Sequence, residues 1–122
     1  MSKKTNEISE AELEIAKALW ANGEPMNVQE ICCSLVKKSW TYSTVSTLLG
    51  RMIEKGAVTQ EKRGRYFYYS PTVSEEEYRQ VQTRNFVAKL YGGSVKNLTV
   101  SLFKTGDLSA NDIEEIKAMF DL

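Results

Sequence analysis

The 122-residue chain contains no histidine. That removes the commonest general base, the Ser-His and Cys-His nucleophile pairings and the usual zinc-ligand patterns, so the chain is not expected to be an enzyme or to hold a cofactor or metal. Cysteine is nearly absent as well: only Cys32 and Cys33 occur, side by side. Sequence neighbours cannot easily form an unstrained disulfide, so reduced thiols are expected and a stapled, secreted scaffold is not. Apolar runs fall short of the roughly 18 residues a membrane span requires, and the opening MSKKTNEISEAE lacks the apolar core of a secretory signal. The expectation is a cytoplasmic protein with no membrane partner. Two prolines and seven glycines are too few for a low-complexity chain, while 42% hydrophobic and 26% charged residues suit a folded one. A chain this short has room for one domain, or for a compact module with an appended element, and not for a multi-domain enzyme.

The formal charge is zero, but it is unevenly distributed. Residues 26 to 70 carry seven Lys and Arg (Lys37, Lys38, Arg51, Lys55, Lys62, Arg63, Arg65) against Glu30, Glu54 and Glu61, a net of +4. Residues 71 to 122 carry six cations against eight anions, a net of −2. Such asymmetry lets one segment face phosphate while another faces protein or solvent.

Three capping boxes mark helix starts. Ser9-Glu10-Ala11-Glu12 opens a helix predicted to run to about Ala21, with Leu13, Ala16, Leu19 and Trp20 facing inward and Asn22-Gly23 ending it. Asn27-Val28-Gln29-Glu30 opens a second, predicted to about Lys38, with Val28, Ile31, Cys32, Leu35 and Val36 on its apolar side. A third helix is predicted from Tyr42 to Lys55 on the period of Val45, Leu48, Leu49, Met52 and Ile53. The pattern then changes to VTQEKR, a turn at Arg63-Gly64-Arg65, and YFYYS, which together read as a β-hairpin closed by Pro71. In its second strand, Tyr66 and Tyr68 alternate with Phe67 and Tyr69, so one pair is predicted to face the helices and the other to stay accessible. Ser74 to Glu77 opens a long helix to about Tyr91. Gly92-Gly93 breaks it, a short helix covers Val95 to Phe103, and a last one begins at Leu108 to Asp112 and runs through Phe120.

The order helix, helix, helix, hairpin carries the functional reading. In a helix-turn-helix, the second helix of the pair enters the major groove with short polar residues displayed and an apolar face buried behind them. The third helix fits, with Tyr42, Ser43, Thr44, Ser46, Thr47 and Arg51 lying off its apolar stripe. Hydroxyls can bond bases or phosphates, and a guanidinium can bridge guanine or bind phosphate. The hairpin places Lys62, Arg63 and Arg65 around a glycine, with Tyr66 beside them, as a basic wing against the sugar-phosphate backbone. These ten residues are the candidate contacts to double-stranded DNA. Their coincidence with the local charge excess is what separates them from an ordinary solvated surface. The expected fold is mainly α with a small β-hairpin, a winged helix-turn-helix over residues 1–71 followed by a helical dimerisation region over 72–122.

That later region carries Tyr78, Val81, Phe86, Leu90, Leu98, Leu102, Phe103, Ile113, Ile116, Met119 and Phe120, more apolar bulk than three short helices can bury. A second copy of the chain would cover it, and a two-fold pair reading two half-sites also gains affinity. The alternatives are an intramolecular cap and, for the chain as a whole, a winged-helix module whose basic hairpin binds an acidic protein. A thiol- or metal-responsive regulator using Cys32 and Cys33 is a further alternative, set against a simple packing role for those cysteines.

The runs ISEAELEIAKALW, SWTYSTVSTLLGRMIEKGAV, RYFYYSP and YGGSVKNL together resemble the penicillinase-repressor family of bacterial winged-helix proteins, across nearly the whole chain. The resemblance implies a homodimer that binds a palindromic operator and blocks a promoter. By position, Thr44 and Arg51 match polar and basic recognition-helix residues of that family, whereas Ser43 and Ser46 stand where some relatives carry Lys and Arg. Relatives that respond to β-lactams are cut in the tail at an Asn-Phe bond; Ser101-Leu102 stands at that place and departs from the pattern. Copper-responsive relatives end in spaced cysteines, whereas this chain ends IKAMFDL.

Overall fold

The computed structural model describes residues 7–119. The elements run α1 (Glu10–Asn22), α2 (Val28–Ser34), a 3₁₀ turn (Val36–Lys38), α3 (Tyr42–Glu54), β1 (Val58–Arg63), β2 (Tyr66–Pro71), α4 (Glu75–Tyr91), α5 (Val95–Thr105) and α6 (Ala110–Met119). The chain divides into two compact units, one up to Arg79 and the other from Gln80 onward.

In the first unit, α1, α2 and α3 surround a core of Ile15, Leu19, Ile31, Val45, Leu49, Met52 and Val58, with Tyr69 of the hairpin set against it. The strands pair antiparallel from Val58 opposite Pro71 to Arg63 opposite Tyr66, leaving Gly64-Arg65 as a two-residue turn. Gly64 has φ +65° while Arg65 stays at negative φ, the pattern of a type II′ turn, which suits the right-handed twist of a hairpin. The segment between α1 and α2 reaches the hairpin too: Met26 and Tyr69 exchange N–H to carbonyl bonds of 3.1 and 2.8 Å. Three helices with a hairpin on one core make this a mainly helical, winged helix-turn-helix fold.

Caps set the helix starts as the residue pattern implied. Ser9 with Glu12, and Asn27 with Glu30, form reciprocal boxes, and Thr41 Oγ1 accepts from the Thr44 N–H at the start of α3. Ser74 and Glu77 do the same for α4. Beyond the hairpin, the Trp20 indole N–H donates to the Val73 carbonyl at 3.0 Å, and its ring lies 5.7 Å from that of Tyr78. The Thr72 hydroxyl donates to the Gly56 carbonyl at 2.7 Å.

Several expectations are corrected. The second helix ends at Ser34, not near Lys38, and Val36 is 71% exposed instead of apolar filling. Leu35 leaves helical geometry at φ −110°, ψ 36°, its N–H shared between the Ile31 and Cys32 carbonyls. The chain then tightens into a 3₁₀ turn ended by Ser39 at φ 57°, and that change of period swings Val36 outward. On α1 the buried face is Glu12, Ile15, Ala16 and Leu19, while Leu13 and Trp20 sit at its margin. On β2 the aromatic residues divide by distance from the tip: Tyr66 and Phe67 are exposed, Tyr68 half-buried and Tyr69 buried. Alternation sorts side chains into core and solvent only where helices cover the sheet, and the wing tip projects past them.

In the second unit, Gly93 at φ 84° separates α4 from α5, and Gly106 at φ 87° ends α5 at Thr105. The Tyr91 hydroxyl meets Ser101 Oγ at 3.2 Å, and the Phe86 and Tyr91 rings are 6.0 Å apart. Among the described residues from Gln80 onward, Val87 alone is buried. Phe120 lies outside the described residues.

Candidate nucleic-acid interface

The apolar side chains of α3 recur at three- and four-residue spacing, and Val45, Leu48, Leu49 and Met52 are buried beneath the helix. That packing fixes which side faces out. Tyr42, Ser43, Thr44, Ser46, Thr47 and Arg51 are all exposed, with Tyr42 at 57%. Thr44 differs from its neighbours because its Oγ1 already accepts a hydrogen bond from the Thr41 hydroxyl at 3.1 Å. One of its two acceptor sites is thus occupied by the capping residue, while its own O–H remains a donor.

The wing cations are individually distinguishable. Arg63 pairs with Glu61 at 3.1 Å, and its guanidinium carbon lies 5.3 Å from the Tyr68 ring centroid. The Lys62 ammonium lies 6.0 Å from the Phe67 ring centroid. Such contacts order long side chains at modest gain on an exposed surface. Arg65 instead lines an open groove of about 460 Å³, together with Asn27, Val28, Gln29, Tyr42, Ser46, Tyr66, Phe67 and Tyr69. The structure therefore brings Tyr42, Ser46, Arg65 and Tyr66 to one groove. Ser43, Thr44, Thr47 and Arg51 lie along the same helix, and Lys62 and Arg63 on the wing.

Two groups at this surface were not singled out from the sequence. Asn27 and Gln29 line the groove from the start of α2, and the signal for them was the general one that the first helix of a helix-turn-helix crosses the nucleic-acid backbone. Lys37 and Lys38 are exposed in the turn between α2 and α3, with the Lys38 ammonium 6.0 Å from the Trp40 ring centroid.

The other candidates fall elsewhere. Phe86, Leu90, Leu102, Phe103, Ile116 and Met119 are exposed, and Val81, Leu98 and Ile113 are partly covered. Tyr78 packs on Trp20 of its own chain. Val95 and Val100, not among the expected apolar positions, are exposed as well. Burial, together with the neighbouring Cys33, pushes the Cys32 thiol above its ordinary range. Cys33 is exposed. Among the described residues no group of three or more His, Cys, Asp or Glu could hold a metal, and no helix is long and apolar enough to cross a membrane.

The arrangement also recurs in known proteins. The chain is 35% identical over 115 residues to a penicillinase repressor of Bacillus licheniformis, covering 93% of this chain and 89% of that one. It is 31% identical over 117 residues to the methicillin resistance regulatory protein MecI of Staphylococcus aureus, with 96% and 95% covered. Among solved structures, the DNA-binding domain of the repressor BlaI is similar, at 39% identity and a TM-score of 0.53 over 62% of this chain and 92% of that one. So is Bacillus licheniformis BlaI in monomeric form with the blaP half-operator, at the same identity and coverage and a TM-score of 0.52. The penicillinase repressor family pattern matches residues 8–121, so the likeness takes in the helices after the wing as well as the wing itself, and this chain belongs to the penicillinase repressor family.

Proposed function

We propose that this chain is a transcriptional repressor that binds a palindromic operator in double-stranded DNA as a homodimer, in the cytoplasm, with residues 1–71 as the DNA-binding part and 72–122 as the dimerisation part. The observation that carries the reading is the meeting of hydroxyl-bearing α3 side chains and the Arg65 guanidinium at one groove beside the basic wing. Helix α3 enters the major groove, where Ser43, Ser46 and Thr47 reach base edges and Arg51 bonds a base or phosphate. The wing, through Lys62, Arg63, Arg65 and Tyr66, follows the adjoining sugar-phosphate backbone. That a relative of 39% identity is known with its half-operator supports the same use of this surface.

Support for dimerisation comes from the second unit, where Phe86, Leu90, Phe103 and Met119 are exposed and little of the helical surface is buried. An apolar area of that kind is covered in solution by a partner, and a two-fold partner places two wings and two α3 helices at spaced half-sites. The deciding experiment is a mobility-shift titration of the full chain on duplex from upstream of its own gene, against random duplex of equal length. The repressor reading expects preference for the upstream duplex and affinity that falls steeply with salt. Binding with no preference over random duplex would favour the protein-interaction module.

A further inference from the structure

Glu12 is a buried charge that the DNA-reading surface does not itself require. It is 1% exposed, and its Oε1 accepts from the Ser9 N–H at 2.9 Å while lying 2.7 Å from Lys55 Nζ. Lys55 is the C-terminal cap of α3 and stands 43 positions away in sequence. The ion pairs Arg63–Glu61, Arg79–Glu75 and Lys117–Glu114 are by contrast local and exposed. Capping alone does not explain the burial, because Glu30 and Glu77 serve the same role for α2 and α4 and remain exposed. A carboxylate withdrawn from water is costly unless its partners are well placed, and an apolar residue would fill the same space with no such cost.

We infer that the Glu12–Lys55 pair is a positioning device that sets the tilt at which α3 meets DNA. The inference rests on the DNA-binding reading above. The buried face of α3 fixes its depth and its rotation about its own axis, but apolar contact is non-directional and leaves tilt weakly specified. A short charge-assisted bond at the last turn is directional. Thirteen residues span about 20 Å, so a swing of about 5° at the Lys55 end moves the Tyr42 end by about 1.7 Å. A displacement of that size breaks a hydrogen bond to a base edge. Burial raises the Glu12 carboxyl, but hydrogen bonds from Lys55 and Ser9 and the charges of Lys55 and Arg51 outweigh it and hold the group below its ordinary value. The anchor therefore stays ionised at neutral pH and also attracts Arg51, one turn earlier on α3.

The test uses the full chain with Glu12→Gln, Lys55→Gln and the double variant, each checked for folding by circular dichroism melting. Affinity is measured on the upstream duplex and on random duplex. A positioning role lowers upstream affinity about tenfold in either single variant, leaves random-duplex affinity within about twofold, and adds nothing in the double variant. Equal loss on both duplexes, or no loss, overturns the inference in favour of a purely stabilising pair. Tighter binding of Glu12→Gln to both duplexes also overturns it, since Lys55 would then be a phosphate ligand that Glu12 restrains. Should Glu12→Gln not fold, Lys55→Gln decides the matter, because it leaves the Ser9 cap intact. A wild-type chain without preference for the upstream duplex defeats the repressor reading itself, an outcome seen before any variant is made.

Discussion

Replacing Arg65 with Ala separates a phosphate-binding wing from a wing that is merely soluble. Arg63 and Lys62 are already engaged, by Glu61 and Tyr68 and by Phe67, whereas Arg65 lines the groove with Tyr42 and Ser46. It is therefore the wing cation with most to gain from a phosphate. Each phosphate neutralised on B-DNA steepens the dependence of log affinity on log salt by about 0.9, so a two-fold pair loses about 1.8 from its slope when both copies of Arg65 are removed. From about 50 mM to about 200 mM salt, that is roughly a 12-fold smaller drop in affinity than the wild-type chain suffers. Fluorescence anisotropy titrations on the upstream duplex at four or five salt concentrations measure this directly. Because Arg65 is exposed and occupies a turn, the variant should melt with the parent. An unchanged slope would refute the argument, placing this guanidinium away from the backbone. A changed slope on one sequence only would make it a base contact instead.

Arg51→Ala is expected to cost about 1 to 3 kcal/mol on the preferred operator and to relax selectivity at one base pair, read from a panel of single-base operator variants; uniform loss across the panel identifies a phosphate contact. Leu90 is 58% exposed on α4, so Leu90→Lys should leave the helix content unchanged while shifting sedimentation velocity from dimer to monomer. For pH, the folded-state pKa of Glu12 is depressed, so the stability it contributes is complete above the unfolded carboxylate pKa and is lost as pH falls through the folded value. Urea melts between neutral and strongly acid pH should therefore show Glu12→Gln less stable than the parent at neutral pH and the two converging in acid.

Local chemistry left clear marks in the chain. Ser9 with Glu12, Asn27 with Glu30 and Ser74 with Glu77 declare three helix starts because a cap is an interaction between residues three positions apart. The α3 stripe declared both its helix and its outward polar face for the same reason, since Val45, Leu48, Leu49 and Met52 share a side whatever lies against it. The turn at Gly64 could be read from glycine between two strand-like runs. No comparable local sign announced the end of α2 at Ser34, where Val36 fits a helical stripe perfectly well and is turned outward by a 3₁₀ turn.

Everything that depended on distant residues had to wait for the folded chain. Helical spacing put Leu13, Ala16, Leu19 and Trp20 inward and left Glu12 as a capping residue; that a charge is buried there instead is explained by Lys55, brought in from the end of α3. The Met26–Tyr69 bridge, the Trp20 bond to Val73 and the gathering of Asn27, Ser46 and Arg65 at one groove arise in the same way. Periodicity and capping act within a few residues, and so they are written locally in the chain. Which charge meets which, and which aromatic ring is covered, is settled by packing between elements far apart in sequence, where no short-range pattern can encode the answer.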